Sequence, residues 1–209
     1  MSHSKLIVLL FALAASAGAQ RTSGKATPGQ VAVVIETERG NIDVVLDSAK
    51  APVTVANFLR YVDKGAYTSG VFHRAVTLGN QPNDSVKIQV IQGGANPQRD
   101  PALRFPPIPL ERTSDTGLRH HDGTLSMARA GPNTATSDFF ICIGDQPSLD
   151  FGGHRNLDGQ GFAAFGRVTS GMDIVRAIQS SPATAQRLTP PVVIKRIRRM
   201  GLRVQDGGV

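Results

Sequence analysis

Beyond residue 30 the chain alternates short apolar runs with polar punctuation, and the spacing of the apolar positions switches between two periods. Residues 31–37 and 41–47 are apolar-rich and joined by Glu38-Arg39-Gly40, which predicts a β-hairpin with Gly40 at positive φ. Ala51-Pro52 then opens a helix. Val55, Phe58, Leu59 and Val62 stand at i, i+3, i+4 and i+7, one apolar stripe, with Asn57, Arg60, Asp63 and Lys64 mostly off it. Pro52 falls in the first turn, where its missing N–H does no harm, and Gly65 ends the helix. Residues 71–76 predict a strand, 77–85 a polar loop, and 86–91 a return to β character that runs into Gln92-Gly93-Gly94. Residues 95–122 are irregular and proline-rich.

The stretch 123–143 organises the rest. Leu125 and Met127 alternate with Thr124, Ser126 and Ala128, the period of a half-buried strand. Gly131-Pro132-Asn133-Thr134 is turn chemistry, because proline fixes φ and asparagine tolerates left-handed backbone. Phe139 to Ile143 is an apolar run of β-formers, fit for a strand buried on both faces. A loop over 144–161, a strand over 162–168, a second helix over 171–180 and a last strand over 192–204 follow. In the second helix Ile174, Val175 and Ile178 share one side. The inventory is about eight strands and two helices in one domain over 31–204, without repeats. A mainly β, closed antiparallel barrel is the economical arrangement, because closure removes the sheet edges.

Composition changes this picture at the ends. The chain has 209 residues, 40% of them hydrophobic, with 22 Gly and 13 Pro, which suits a turn-rich β domain and excludes a disordered chain. Lys5, the unbroken apolar run from Leu6 to Ala15, and the A-x-A sites at Ala15–Ala17 and Ala17–Ala19 predict a secretory signal peptide over 1–19. The run is short for a membrane span. The mature chain is expected to begin between Gly18 and Gln20, with a flexible segment over 20–30 and a short tail over 205–209. The expected location is periplasmic or secreted, with no stable membrane anchor after cleavage.

Cys142 is the only cysteine, so no intramolecular disulfide is available, and its apolar run predicts a buried, inert thiol. The formal charge is +7. The cluster Lys195-Arg196-Ile197-Arg198-Arg199 alternates with apolar positions and reads as the solvated face of a strand, and no nucleic-acid motif accompanies it. His120-His121-Asp122 reads as loop polarity, since no further ligands stand at metal-binding spacing.

Several separated segments resemble one family in one order. Phe72-His73-Arg74, Gln92-Gly93-Gly94, the run Leu125 to Thr134 with Ser137, and Phe139 to Cys142 are similar to cyclophilin peptidyl-prolyl isomerase motifs. Ala51 to Phe58 resembles the family's first helix and Phe165 to Val168 its late strand. The resemblance implies an eight-stranded barrel capped by two helices, a reaction that needs neither cofactor nor metal, and proline-containing unfolded or flexible polypeptides as substrates. A monomer is expected, without nucleic-acid binding.

It also implies roles. Arg74 matches the catalytic arginine, and Gln92 the glutamine that orients it. Phe140 matches the phenylalanine of the proline pocket, although a bare apolar strand explains it equally well. Ala128 and Ala130 match small residues of the peptide groove, and Arg129 a position that binds substrate through its main chain. Phe72, Val90, Asp138, Leu149 and Phe162 complete the substrate-binding set. The sequence departs from the pattern at several of these. Val90 replaces a methionine, Asp138 a glutamine and Phe162 a histidine, while Ser148 or Leu149 stands near the usual tryptophan. Gln89 occupies a pocket phenylalanine's place, and 77–85 contains an insertion.

Two functions compete on this sequence. One is an exported isomerase of Xaa–Pro bonds that assists folding. The other is a non-catalytic proline-peptide binding or chaperone module on the same barrel. Arg74 and Gln92 speak for catalysis, and Gln89 for binding alone.

Overall fold

The predicted N-terminal hairpin forms in the computed structural model, which describes residues 28–96 and 101–201. The predicted signal peptide, most of the predicted 20–30 segment, the end of the last predicted strand and the predicted 205–209 tail lie outside the described residues. Strands β1 (Gln30–Thr37) and β2 (Gly40–Asp47) pair antiparallel, with Val33 opposite Val44 and Ile35 opposite Ile42. Gly40 has φ +136°, a backbone state that L side chains rarely adopt. Helix α1 (Pro52–Asp63) carries the predicted stripe inward. Phe58 packs against Tyr67, Phe139 and Phe165 with ring centroids 5.2, 5.5 and 5.2 Å away.

The remaining elements are β3 (Gly70–Val76), β4 (Val90–Gly94), the single turn α2 (Thr113–Thr116), β5 (Thr124–Met127) and β6 (Phe139–Cys142). After them come β7 (Ala163–Ser170), α3 (Met172–Gln179), β8 (Ala183–Thr184) and β9 (Arg187–Arg199). The sheet order is β1-β2-β7-β5-β6-β4-β3-β9, and β9 pairs back onto β1. That ring is a closed, antiparallel, eight-stranded barrel. β8 is a two-residue addition hydrogen-bonded to β9. Helix α1 packs against β2, β7 and β9, and α3 against β2, β3 and β4.

The differences from the sequence expectation have physical causes. β4 starts at Val90 rather than near residue 86, because Gln81 claims the Ile88 backbone through bonds of 2.7 and 3.1 Å. β9 starts at Arg187, five residues before the predicted 192, because its first residues pair with β8 and with Arg74. β5 is buried on both faces, not one. Its Ser126 face is covered by His120, which a period-two pattern does not reveal. Asn57, expected off the apolar stripe, is buried and donates to the Thr136 carbonyl at 2.6 Å.

Candidate active site

Strand pleating sorts the side chains of β3 to β6 into two clusters. Phe139 and Ile141 of β6, Ile91 of β4, Leu125 and Met127 of β5, and Ala75 of β3 belong to the main core. Their sequence neighbours Phe140, Cys142, Val90 and Val76 form a second cluster with Ile88 and Leu149, flanked by Ala128 and Phe162. On this second face the registers line up one row across four strands. Arg74 stands opposite Gln92, Gln92 opposite Phe140, and Phe140 opposite Ser126. A cation, an amide and an aromatic ring are thereby fixed side by side on rigid strands.

Arg74 is held from two sides. Its Nε and Nη2 donate to Gln186 Oε1 at 2.8 and 2.6 Å, and its Nη1 donates to Gln92 Oε1 at 3.0 Å. A guanidinium has five N–H donors, so these bonds leave two pointing elsewhere. Burial lowers the Arg74 pKa and the like charge of Arg155 lowers it further, with Asp84 opposing. A guanidinium starts high enough to stay charged at neutral pH. Gln92 in turn donates through Nε2 to Asp138 Oδ2 at 3.4 Å, and His73 Nε2 lies 3.7 Å from the same oxygen. Asp138 fits because Gly94 lies beneath it; a Cβ there would overlap the carboxylate. Tyr67 fixes the approach to Asp138 by donating to the Ser137 carbonyl at 2.8 Å.

The apolar wall beside this row is Phe140, Val90 and Leu149, all buried. Phe162 meets the Phe140 ring edge-on, with centroids 5.3 Å apart at 89°. Leu149 arrives on a short 3-10 turn, Pro147–Leu149, and its carbonyl accepts from Phe162 N at 2.9 Å. Arg129 stabilises the far side. Its side chain is only 1% exposed, pairs with both Asp158 oxygens at 2.7 and 2.9 Å, and donates to the Gly161 carbonyl at 2.8 Å. The guanidinium also lies 5.0 Å from the Phe162 ring centroid.

The insertion is ordered by its own side chains. Thr77 and Asn80 close a capping box around a 3-10 turn over Leu78–Asn80. Gln81, almost fully buried, bonds the Thr77 and Ile88 carbonyls and the Ile88 N–H. This delivers Ile88 to the apolar wall. Gln89, the residue at the expected aromatic position, is only half-buried. Arg155 bridges the insertion to the 144–161 loop by reaching Asp84 at 2.9 Å and the Val86 carbonyl at 2.7 Å.

Most of the sequence-derived set converges here, with corrections. Phe72 does not reach this face. A bulge between Phe72 and Arg74 sets Phe72 opposite Gly93, so its ring turns inward and meets Phe139 at 5.8 Å. Ala128 is half-buried beside the wall, while Ala130 is exposed, its N–H bonded to Thr134 Oγ1 at 3.1 Å. Arg129, matched to a position that acts through its main chain, also has its side chain fully engaged. His120 is not loop polarity; it is a fully buried ring stacked on Phe140. Gln186 and Ile88 went unread as site residues, and His120 was misread. Gln186 reaches Arg74 across 112 residues of sequence, and no local pattern signals that approach. Among the described residues no group of three or more His, Cys, Asp and Glu converges as a metal site.

The chain matches the family described as cyclophilin type peptidyl-prolyl cis-trans isomerase/CLD over residues 32–199. It belongs to that family. Relatives of this cyclophilin include the peptidyl-prolyl cis-trans isomerase A of Dickeya dadantii, 37% identical over 147 residues, which are 70% of each chain. The peptidyl-prolyl cis-trans isomerase cyp18 of Streptomyces antibioticus is 34% identical over 175 residues, 81% of this cyclophilin and 98% of the relative. Among solved structures, a Cryptosporidium parvum cyclophilin crystallised in the presence of the dipeptide Ala-Pro shares the fold. Its TM-score is 0.64 at 23% identity, covering 82% of this chain and 99% of that one.

The arrangement suits rotation about an amide. Resonance sets a barrier of roughly 18–20 kcal/mol to that rotation. As the bond twists, the prolyl nitrogen regains a lone pair. A fixed cation with N–H donors to spare is suited to favour that state over the planar one, and an apolar wall is suited to seat a proline ring. No bond breaks, so the row needs no nucleophile.

Proposed function

We propose that this cyclophilin is an exported isomerase that speeds rotation about Xaa–Pro bonds in polypeptides folding outside the cytoplasm. The observation that carries the catalytic reading is the Arg74 guanidinium, locked by Gln186 and Gln92 with donors to spare, beside the wall of Phe140, Val90 and Leu149. Arg74 and Gln92 act on the twisting amide. Phe140, Val90, Leu149 and Phe162 hold the proline, and Ala128, Arg129, Ala130 and Asp138 border the chain on either side of it. Ile88 restores the apolar contact that Gln89 does not supply, which removes the reason to read the barrel as a binding module alone. Export rests on the N-terminal pattern of Lys5, an apolar run and A-x-A sites. The mature protein acts as a monomer with no membrane anchor. Among the described residues no helix is long and apolar enough to cross a membrane.

The test is the refolding of an exported protein whose slow phase is proline-limited. Catalytic amounts of the mature chain should shorten that phase, which otherwise lasts tens of seconds or more. Binding to the unfolded protein without any acceleration would leave only the module. Recovery of the chain from the cytoplasm with Met1 intact would overturn the export reading.

A further inference from the structure

His120 lies behind the apolar wall and has no part in the chemistry above. Its imidazole is fully buried, with Nδ1 2.7 Å from Asp150 Oδ1 and Nε2 2.9 Å from Ser126 Oγ. The order Ser126, His120, Asp150 is that of a hydrolytic relay. Ser126, however, is completely buried, so its hydroxyl meets no substrate and the relay has no nucleophile. The geometry serves another purpose. The His120 ring lies nearly parallel to Phe140, with centroids 6.0 Å apart at 16°. Phe162 meets the same ring edge-on.

Each hydrogen bond of the imidazole ends at a part of the pocket. Ser126 stands directly opposite Phe140 across the β5–β6 ladder. Asp150 directly follows Leu149, and it also accepts from the His120 N–H at 3.2 Å and from Arg119 at 3.5 Å. An ionised Asp150 places the imidazole proton on Nδ1 and leaves Nε2 to accept from Ser126. The ring is thereby locked at both nitrogens.

We propose that His120 is a positioning residue for proline binding: it fixes the Phe140 ring and, through Asp150, ties that ring to the turn carrying Leu149. The two sides of the proline pocket then keep one separation without a covalent link. This role rests on the isomerase reading above.

The test uses the mature chain and a short Xaa-Pro peptide. His120→Gln keeps an amide donor toward Asp150 but removes the flat ring. It should raise KM about tenfold, the effect of ~1.4 kcal/mol of lost binding, with a smaller change in kcat. In the wild-type protein the ring ¹⁵N signals of His120 should shift when the peptide saturates the site, although the imidazole touches no substrate. That titration needs no variant and stands even if His120→Gln fails to fold. An active wild type whose His120 signals stay fixed at saturation would overturn the role, as would an unchanged KM in folded His120→Gln. A wild type without isomerase activity would remove the functional reading and this role with it.

Discussion

At Arg74, three hydrogen bonds from two glutamines hold one guanidinium in one orientation. Arg74→Ala should therefore lower turnover by about 10²–10³-fold, the usual weight of a group aimed at a transition state, while the thermal melt stays close to wild type. Arg74→Lys should recover only part of the loss, since a point charge does not reproduce the planar fork. Phe140→Ala should act differently. It should raise KM and cost roughly 3–5 kcal/mol of stability, as emptying a buried aromatic site does. Denaturant titration beside peptide kinetics separates the two effects. Cys142 is fully buried and burial pushes its thiol far up, so the native protein should react with a thiol reagent only as it unfolds. Arg74, Gln92 and Phe140 were legible in the sequence because they sit in contiguous motifs. Gln186 was not, because a glutamine in the turn between two strands looks like any other until the barrel closes.

Among the elements, the insertion at 77–85 and the 144–161 loop do the most to shape the site. Gln81 is the pin of the first, and its amide satisfies both backbone groups of Ile88. Gln81→Ala should release Ile88, raise KM and cost about 1–3 kcal/mol from the buried polar groups left unpaired. The second loop depends on Asp150. Burial opposes its charge, yet the bonds from His120 and the charge of Arg119 leave its pKa below the ordinary carboxylate value. A depressed carboxylate contributes its stability above the unfolded pKa, near ~3.9, and loses it as pH falls through the lower folded value. Wild-type Tm should thus fall on acidification below about pH 4, and Asp150→Asn should start lower at neutral pH and show a flatter acid limb. The eight barrel strands and the two longer helices followed from period and turn chemistry, while α2, β8 and the 3-10 turns did not. Strand edges did not either. The start of β4 is set by Gln81, the start of β9 by pairing with β8, and the burial of Ser126 by a histidine from a separate loop.

For the whole molecule, one closed ring of strands holds the site on its outer face while the main core fills the other. The barrel was legible because eight apolar runs of strand length, punctuated by turns, leave closure as the simplest way to remove two edges. The row Arg74, Gln92, Phe140 and Ser126 was not, since it depends on registers among four strands and on one bulge that turns Phe72 inward. The closing seam between β1 and β9 carries Glu36, which pairs with Arg196 and Arg198, both at 2.7 Å. These pairs lie on the basic strand face that the sequence reads as solvated. Catalysis requires that the barrel present a fixed cation to a twisting prolyl amide. Exchange between the cis and trans forms of a short Xaa-Pro peptide, followed by NMR, tests that most directly. The mature wild-type chain should bring exchange far above the uncatalysed rate of once in tens to hundreds of seconds, and folded Arg74→Ala should lose most of the gain. Wild-type exchange at the uncatalysed rate, or full activity in folded Arg74→Ala, would contradict it.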